Sequence, residues 1–167
     1  MKSLTLENQL LDDSEVSVIT HLPALKKIKL SYHQITSQGF SEITTMQGLE
    51  DLDLSYNQIG SYEAVKIARL PSMRRCILNH NRIGNVDAFY LSKMKKIEIL
   101  ELVGNQIGDT GAAHIAQMQA IRALDLSSNQ IGDAGTATIA QMLQITNLNL
   151  ANNQIGDAGG RQYCSYA

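Results

Sequence analysis

Apolar residues return along this chain at a fixed spacing of 24 residues. In units that begin at Met1, Leu25, Leu49, Met73, Ile97, Ile121 and Ile145, the first position is always apolar. The fourth reads Leu4, Ile28, Leu52, Cys76, Leu100, Leu124 and Leu148; the sixth is Leu throughout; the eleventh is Leu11 and then isoleucine. Apolar residues at 4 and 6, between mostly polar residues at 3, 5 and 7, alternate with the period of a strand that buries one face. Apolar residues at 19 and 22, with small residues at 16 and 20 in most units, form one face of a helix. Position 13 holds Asp13, Ser37, Ser61, Asn85, Asp109, Asp133 and Asp157. All are residue types that favour helix N-caps, so each is expected to cap the helix of its own unit. Every unit therefore predicts a strand, a turn, a capped helix and a return.

No such unit can bury its apolar stripe alone, but stacked units can. A fixed period in this range predicts an elongated solenoid with one continuous core. The expected fold class is α/β: one domain, 1–167, of seven units (1–24, 25–48, 49–72, 73–96, 97–120, 121–144 and 145–167).

Position 9 carries the most regular polar column: Asn57, Asn81, Asn105, Asn129 and Asn153, preceded by His33 and Gln9. The unit IRALDLSSNQIGDAGTATIAQMLQ, residues 121–144, resembles the leucine-rich repeat, L-x-x-L-x-L-x-x-N-x-L, and the resemblance covers essentially the whole chain. The NQIGDxG segment followed by IAQM is similar to the helix-bearing, ribonuclease-inhibitor-like subclass. Such units also recur in leucine-rich repeat effectors of intracellular bacterial pathogens. The resemblance implies a horseshoe solenoid with a parallel sheet on its concave face, short helices on its convex face, and protein binding through the concave strands. It also implies that the Asn column is a structural ladder between repeats, the role that a buried polar residue in a turn must fill.

Charge and composition narrow the function classes. A net charge of −2 gives no global pull toward nucleic acid or an anionic membrane. No stretch reaches the length of an apolar membrane span, and no signal peptide is visible. These readings favour a cytoplasmic protein, translocated into a host cell if it is a bacterial effector. Cys76 and Cys164 are nearly four repeats apart, which at about 4.8 Å per stacked strand is beyond disulfide reach. His21, His33, His80 and His114 lack metal-ligand spacing. No cofactor, metal or catalytic constellation is implied, and the chain is read as non-enzymatic.

Recognition would be written on the concave columns. Stacking places Lys27, Asp51 and Arg75 in one row and Lys29 and Asp53 in another, so opposite charges can pair between strands. Position 8 reads Asn8, Tyr32, Tyr56, His80, Gly104, Ser128 and Asn152. Its three consecutive rings are either interface anchors or a rim stiffened by ring-on-ring packing. Charge and aromatic variation concentrate in units 2 to 4, so the expected protein-binding set is Tyr32, Tyr56, His80, Lys27, Lys29, Asp51, Asp53 and Arg75. The alternative is a structural scaffold that uses open ends. Tyr163 and Tyr166 at the C-terminal edge would then support a weak homodimer.

Overall fold

The computed structural model describes residues 3–7, 13–22, 24–32, 35 and 37–157. Among these residues seven strands and six helices alternate in chain order. The strands are β1 (Ser3–Glu7), β2 (Lys27–Ser31), β3 (Asp51–Asp53), β4 (Arg75–Ile77), β5 (Ile99–Glu101), β6 (Ala123–Asp125) and β7 (Asn147–Asn149). The helices are α1 (Asp13–Thr20), α2 (Ser37–Ile43), α3 (Ser61–Ile67), α4 (Asn85–Leu91), α5 (Asp109–Ile115) and α6 (Asp133–Ile139). The strands form one parallel sheet in sequence order. Each residue pairs with the one 24 positions later, as Ile28 with Leu52 and Leu52 with Cys76.

The apolar columns meet between sheet and helices in a single core running the length of the solenoid. Phe40 is buried at position 16, where α3 to α5 carry Ala64, Ala88 and Ala112. Cys76 is a fully buried free thiol in the leucine column. Cys164, Tyr163, Tyr166, His33 and Gln9 lie outside the described residues.

The Asn column stitches neighbouring repeats, as its ladder reading requires. Asn105 Nδ2 donates to Leu78 O of the preceding repeat at 2.9 Å, and to Leu102 O of its own at 3.0 Å. Its Oδ1 accepts the N–H of Ile83, 22 residues earlier, at 2.9 Å. Asn81, Asn129 and Asn153 accept from Ile59, Ile107 and Ile131 in the same way. Asn57 donates to Leu30 O, but its Oδ1 is buried without a hydrogen-bond partner.

Helix capping departs from expectation. The N-caps of α3 to α6 are Gly60, Gly84, Gly108 and Gly132, which have no side chain to contribute. The residue at position 13 already lies in the helix, and from there it reaches the next repeat. Asn85 Oδ1 accepts the N–H groups of Gly108 and Gly111; Asp109 Oδ1 accepts those of Gly132 and Gly135; Asp133 Oδ1 accepts that of Gly156. Helices α3 and α4 instead cap themselves from position 15, Glu63 on Gly60 N–H and Asp87 on Gly84 N–H. A side-chain acceptor therefore meets the first turn in both arrangements, and only its origin changes.

Candidate protein-binding face

Strand alternation turns positions 3, 5 and 7 away from the helices, onto the outer face of the sheet. There Asp51 sits between two cations of adjacent strands, Lys27 at 3.5 Å and Arg75 at 3.4 Å. Arg75 reaches onward to Glu101 at 3.2 Å. Lys29 lies 3.9 Å from Asp53. The expected rows are thus present, and Glu101 extends them into unit 5. Outside these rows, Lys26 pairs with Glu50, and Arg74 with Glu98. The hydrogen bond from Lys26 holds the Glu50 carboxyl below its ordinary range. These exposed pairs contribute little to stability, about 0–1 kcal/mol each.

The face is less open than the alternation suggests. Asp53 is only 7% exposed and Ile77 only 5%, although both lie in the solvent-side column. Asp53 Oδ1 accepts the backbone N–H and the hydroxyl of Ser55, and Asp125 does the same for Ser127. Within these Asp-x-Ser pairs the carboxylate binds the outgoing turn and turns away from solvent. Asp53 therefore contributes charge to the face but little accessible surface. Asn79 adds a further link, donating to Glu101 and accepting the N–H of Val103. Glu101 and Asn79 belong to the polar network and were missed because each needs a partner outside its own column.

At the end of the strands of units 2 to 7 the chain enters the left-handed region. Tyr32, Tyr56, His80, Gly104, Ser128 and Asn152 have φ between 53° and 66°. Asn8, Gly104 and Asn152 in that column were the signal, since Gly and Asn tolerate this conformation best. The aromatic side chains project from these turns as a parallel stack. Ring centroids are 4.1 Å apart for Tyr32 and Tyr56 and 4.3 Å for Tyr56 and His80. The side-chain hydrogen bond with Tyr56 raises the Tyr32 phenol above its ordinary value. His80 lies directly over Gly104, where a β-carbon would fall 2.5 Å from Nδ1. The inner faces of the stack are closed, yet Tyr32 remains 50% exposed and Tyr56 42%. The rings pack on one another and keep part of their surface exposed.

Among the described residues no group of three or more His, Cys, Asp or Glu is placed to hold a metal. Nor is any described helix long and apolar enough to cross a membrane.

The family comparisons agree with the repeat geometry. Two leucine-rich repeat family patterns match, one over residues 77–131 and 95–155, the other over 46–61, together more than half of the chain. The chain belongs to the leucine-rich repeat proteins. No curated protein gives a significant match. Among solved structures, an internalin (inlF) from Listeria monocytogenes is 25% identical with a TM-score of 0.77. The alignment covers 100% of this chain and 46% of that one, so the chain spans less than half of the internalin's length. The plant peptide hormone receptor RGFR1, solved in complex with RGF2, has a TM-score of 0.63 at 17% identity, over 93% of this chain and 25% of that one. A pollen receptor kinase 3 has a TM-score of 0.63 at 21% identity, over 94% of this chain and 76% of that one. The leucine-rich repeat scaffold is one on which proteins are bound, and the last two likenesses concern the fold alone.

Proposed function

We propose that this leucine-rich repeat protein binds a protein partner across the concave strands and the adjoining rim of units 2 to 4, without catalysing a reaction. The observation that carries the proposal is the confinement of the stacked, half-exposed rings of Tyr32, Tyr56 and His80 to these units. Beside them lies the charged row of Lys27, Asp51 and Arg75. Holding tyrosine at positive φ carries a backbone cost that glycine at the same position, as at Gly104, avoids. Retaining rings there is reasonable if they meet something. Tyrosine suits that task because it buries a large area with few rotatable bonds and keeps a polar tip. Lys29 and Asp53 frame the floor between row and rim.

The finer reading is a bacterial effector that engages a host protein, supported by the likeness to the Listeria internalin. The test compares immobilised wild type with a Tyr32→Ala, Tyr56→Ala, Arg75→Ala variant of equal folded content in host-cell extracts. Proteins retained by wild type alone are then purified and titrated against both forms by calorimetry. A direct complex weakened at least tenfold in the variant supports the proposal. Equal binding of every retained protein to both forms would move the site elsewhere.

A further inference from the structure

The helix layer carries two exposed surfaces of opposite charge, side by side. On α1 Val18 is exposed, as is Leu22 just beyond the helix end, with carboxylates at Glu15 of α1 and Glu42 of α2. Between these helices lies a cleft of about 590 Å³ lined by Asp13, Ser14, Ser17, Gln38 and Glu42, without a cation. On α3 and α4 the exposed apolar residues are Tyr62, Val86 and Phe89. Two lysines cover these rings: Lys66 of α3 stands 4.3 Å above the Tyr62 ring and also donates to Ser41 Oγ of α2 at 2.5 Å, and Lys93, just beyond α4, stands 4.1 Å above the Phe89 ring. The acids of these helices, Glu63 and Asp87, are turned onto Gly60 and Gly84 as caps.

We propose that this face is a self-association surface, on which a second copy of the chain docks back to back through units 1 to 4. A two-fold axis parallel to the helices, in the seam between α2 and α3, brings α1 and α2 of each copy onto α4 and α3 of the other. Such an axis preserves height along the helices. Glu42 and Lys66 both occupy position 18 of their repeats, so each faces the other across the seam. Val18, at position 18, meets Phe89, at position 17. Because the contact is isologous, each complementary pair forms twice. The seam is also where neighbouring helices pack least closely, the other adjacent pairs being much tighter.

Four helices about 10 Å long and 8–10 Å apart offer on the order of 400 Å² per copy. A stable specific interface uses roughly 800 Å² per partner. The dimer is therefore weak, and because it relies on charge its strength falls as salt rises.

Sedimentation velocity of the purified chain across a concentration series, at low and high salt, tests this. Wild type is expected to show reversible dimerisation at low salt, weakened severalfold at high salt. Glu42→Lys and Val18→Asp, at exposed or half-exposed positions, should each weaken it at least tenfold without lowering the melting temperature appreciably. Adding Lys66→Glu to Glu42→Lys should restore most of it. A strict monomer throughout overturns the proposal. So does a dimer indifferent to Glu42→Lys and Val18→Asp, and one abolished by Tyr166→Glu would then assign the contact to the terminal edge.

Discussion

Asn85 of one repeat caps the helix of the next, its Oδ1 accepting the N–H of Gly111 at 3.0 Å. Gly111 leaves room for this bond, since a β-carbon there would fall 2.7 Å from the same oxygen. The pairing recurs down the chain. Asp109 faces Gly135, and Asp13 lies against Gly39. Where a repeat supplies serine at position 13, as Ser37 and Ser61 do, the following repeat carries Glu63 or Asp87 at position 15 and caps itself. One acceptor fits the space above each first turn.

That rule predicts a non-additive double mutant. Gly111→Asp beside Asn85 sets two acceptors against one turn and should cost about 1–3 kcal/mol. Adding Asn85→Ser reproduces the Ser61–Asp87 arrangement and should recover at least half of the loss, as measured by urea denaturation. Strictly additive costs would mean that the two columns vary independently.

The Asn ladder is expected to dominate over its neighbours. Asn105→Ala strands the Ile83 amide and the Leu78 carbonyl in the interior and should cost about 1–3 kcal/mol. Gln106→Ala, one residue on but exposed, should cost less than about 0.5 kcal/mol. Equal small losses in denaturant titrations would remove the structural role given to the column.

Tyr56 should show opposing contributions. Removing its ring loses stacking on Tyr32 and His80, a contribution of about 0.5–1.5 kcal/mol. Replacement by glycine also releases the left-handed backbone, worth about 1 kcal/mol. Tyr56→Gly is therefore expected to melt close to wild type, and Tyr56→Ala clearly below it. The reverse order would show that the turn conformation carries no strain.

Burial raises the Cys76 thiol to about 12 from an ordinary 9.0. The folded state thus keeps its proton where the unfolded chain releases it. The resulting stability is present in full below pH 9.0 and is lost as pH rises toward 12. Cys76→Val should flatten that alkaline decline in denaturation measured between pH 8 and pH 10. Alkylation of Cys76 in the native protein should also be slow and should follow global unfolding.

The repeat length, the strand register and the core columns could be read directly because each follows from side-chain polarity at a fixed spacing. The charged row of Lys27, Asp51 and Arg75 was legible for the same reason, since parallel stacking places equal positions side by side. Capping was not, because the preference of Asp and Asn for a helix start does not say whose helix. The correlation between positions 13 and 15 held that information and appears only when adjacent units are compared. The burial of Asp53 was hidden likewise, because Ser55, two residues along, draws the carboxylate onto the turn.

From Asn81 onward each ladder asparagine closes the repeat before its own: the Ile83 amide is satisfied by Asn105, 22 residues further on. During synthesis a repeat therefore cannot finish closing until its successor has emerged as far as position 9, and completion lags about one unit behind the growing end. Under tension the order reverses. A force applied at the C-terminus would withdraw the last asparagine first and expose the repeat beneath it. The protein would then lengthen in steps of one repeat, roughly 80 Å of extended chain at a time.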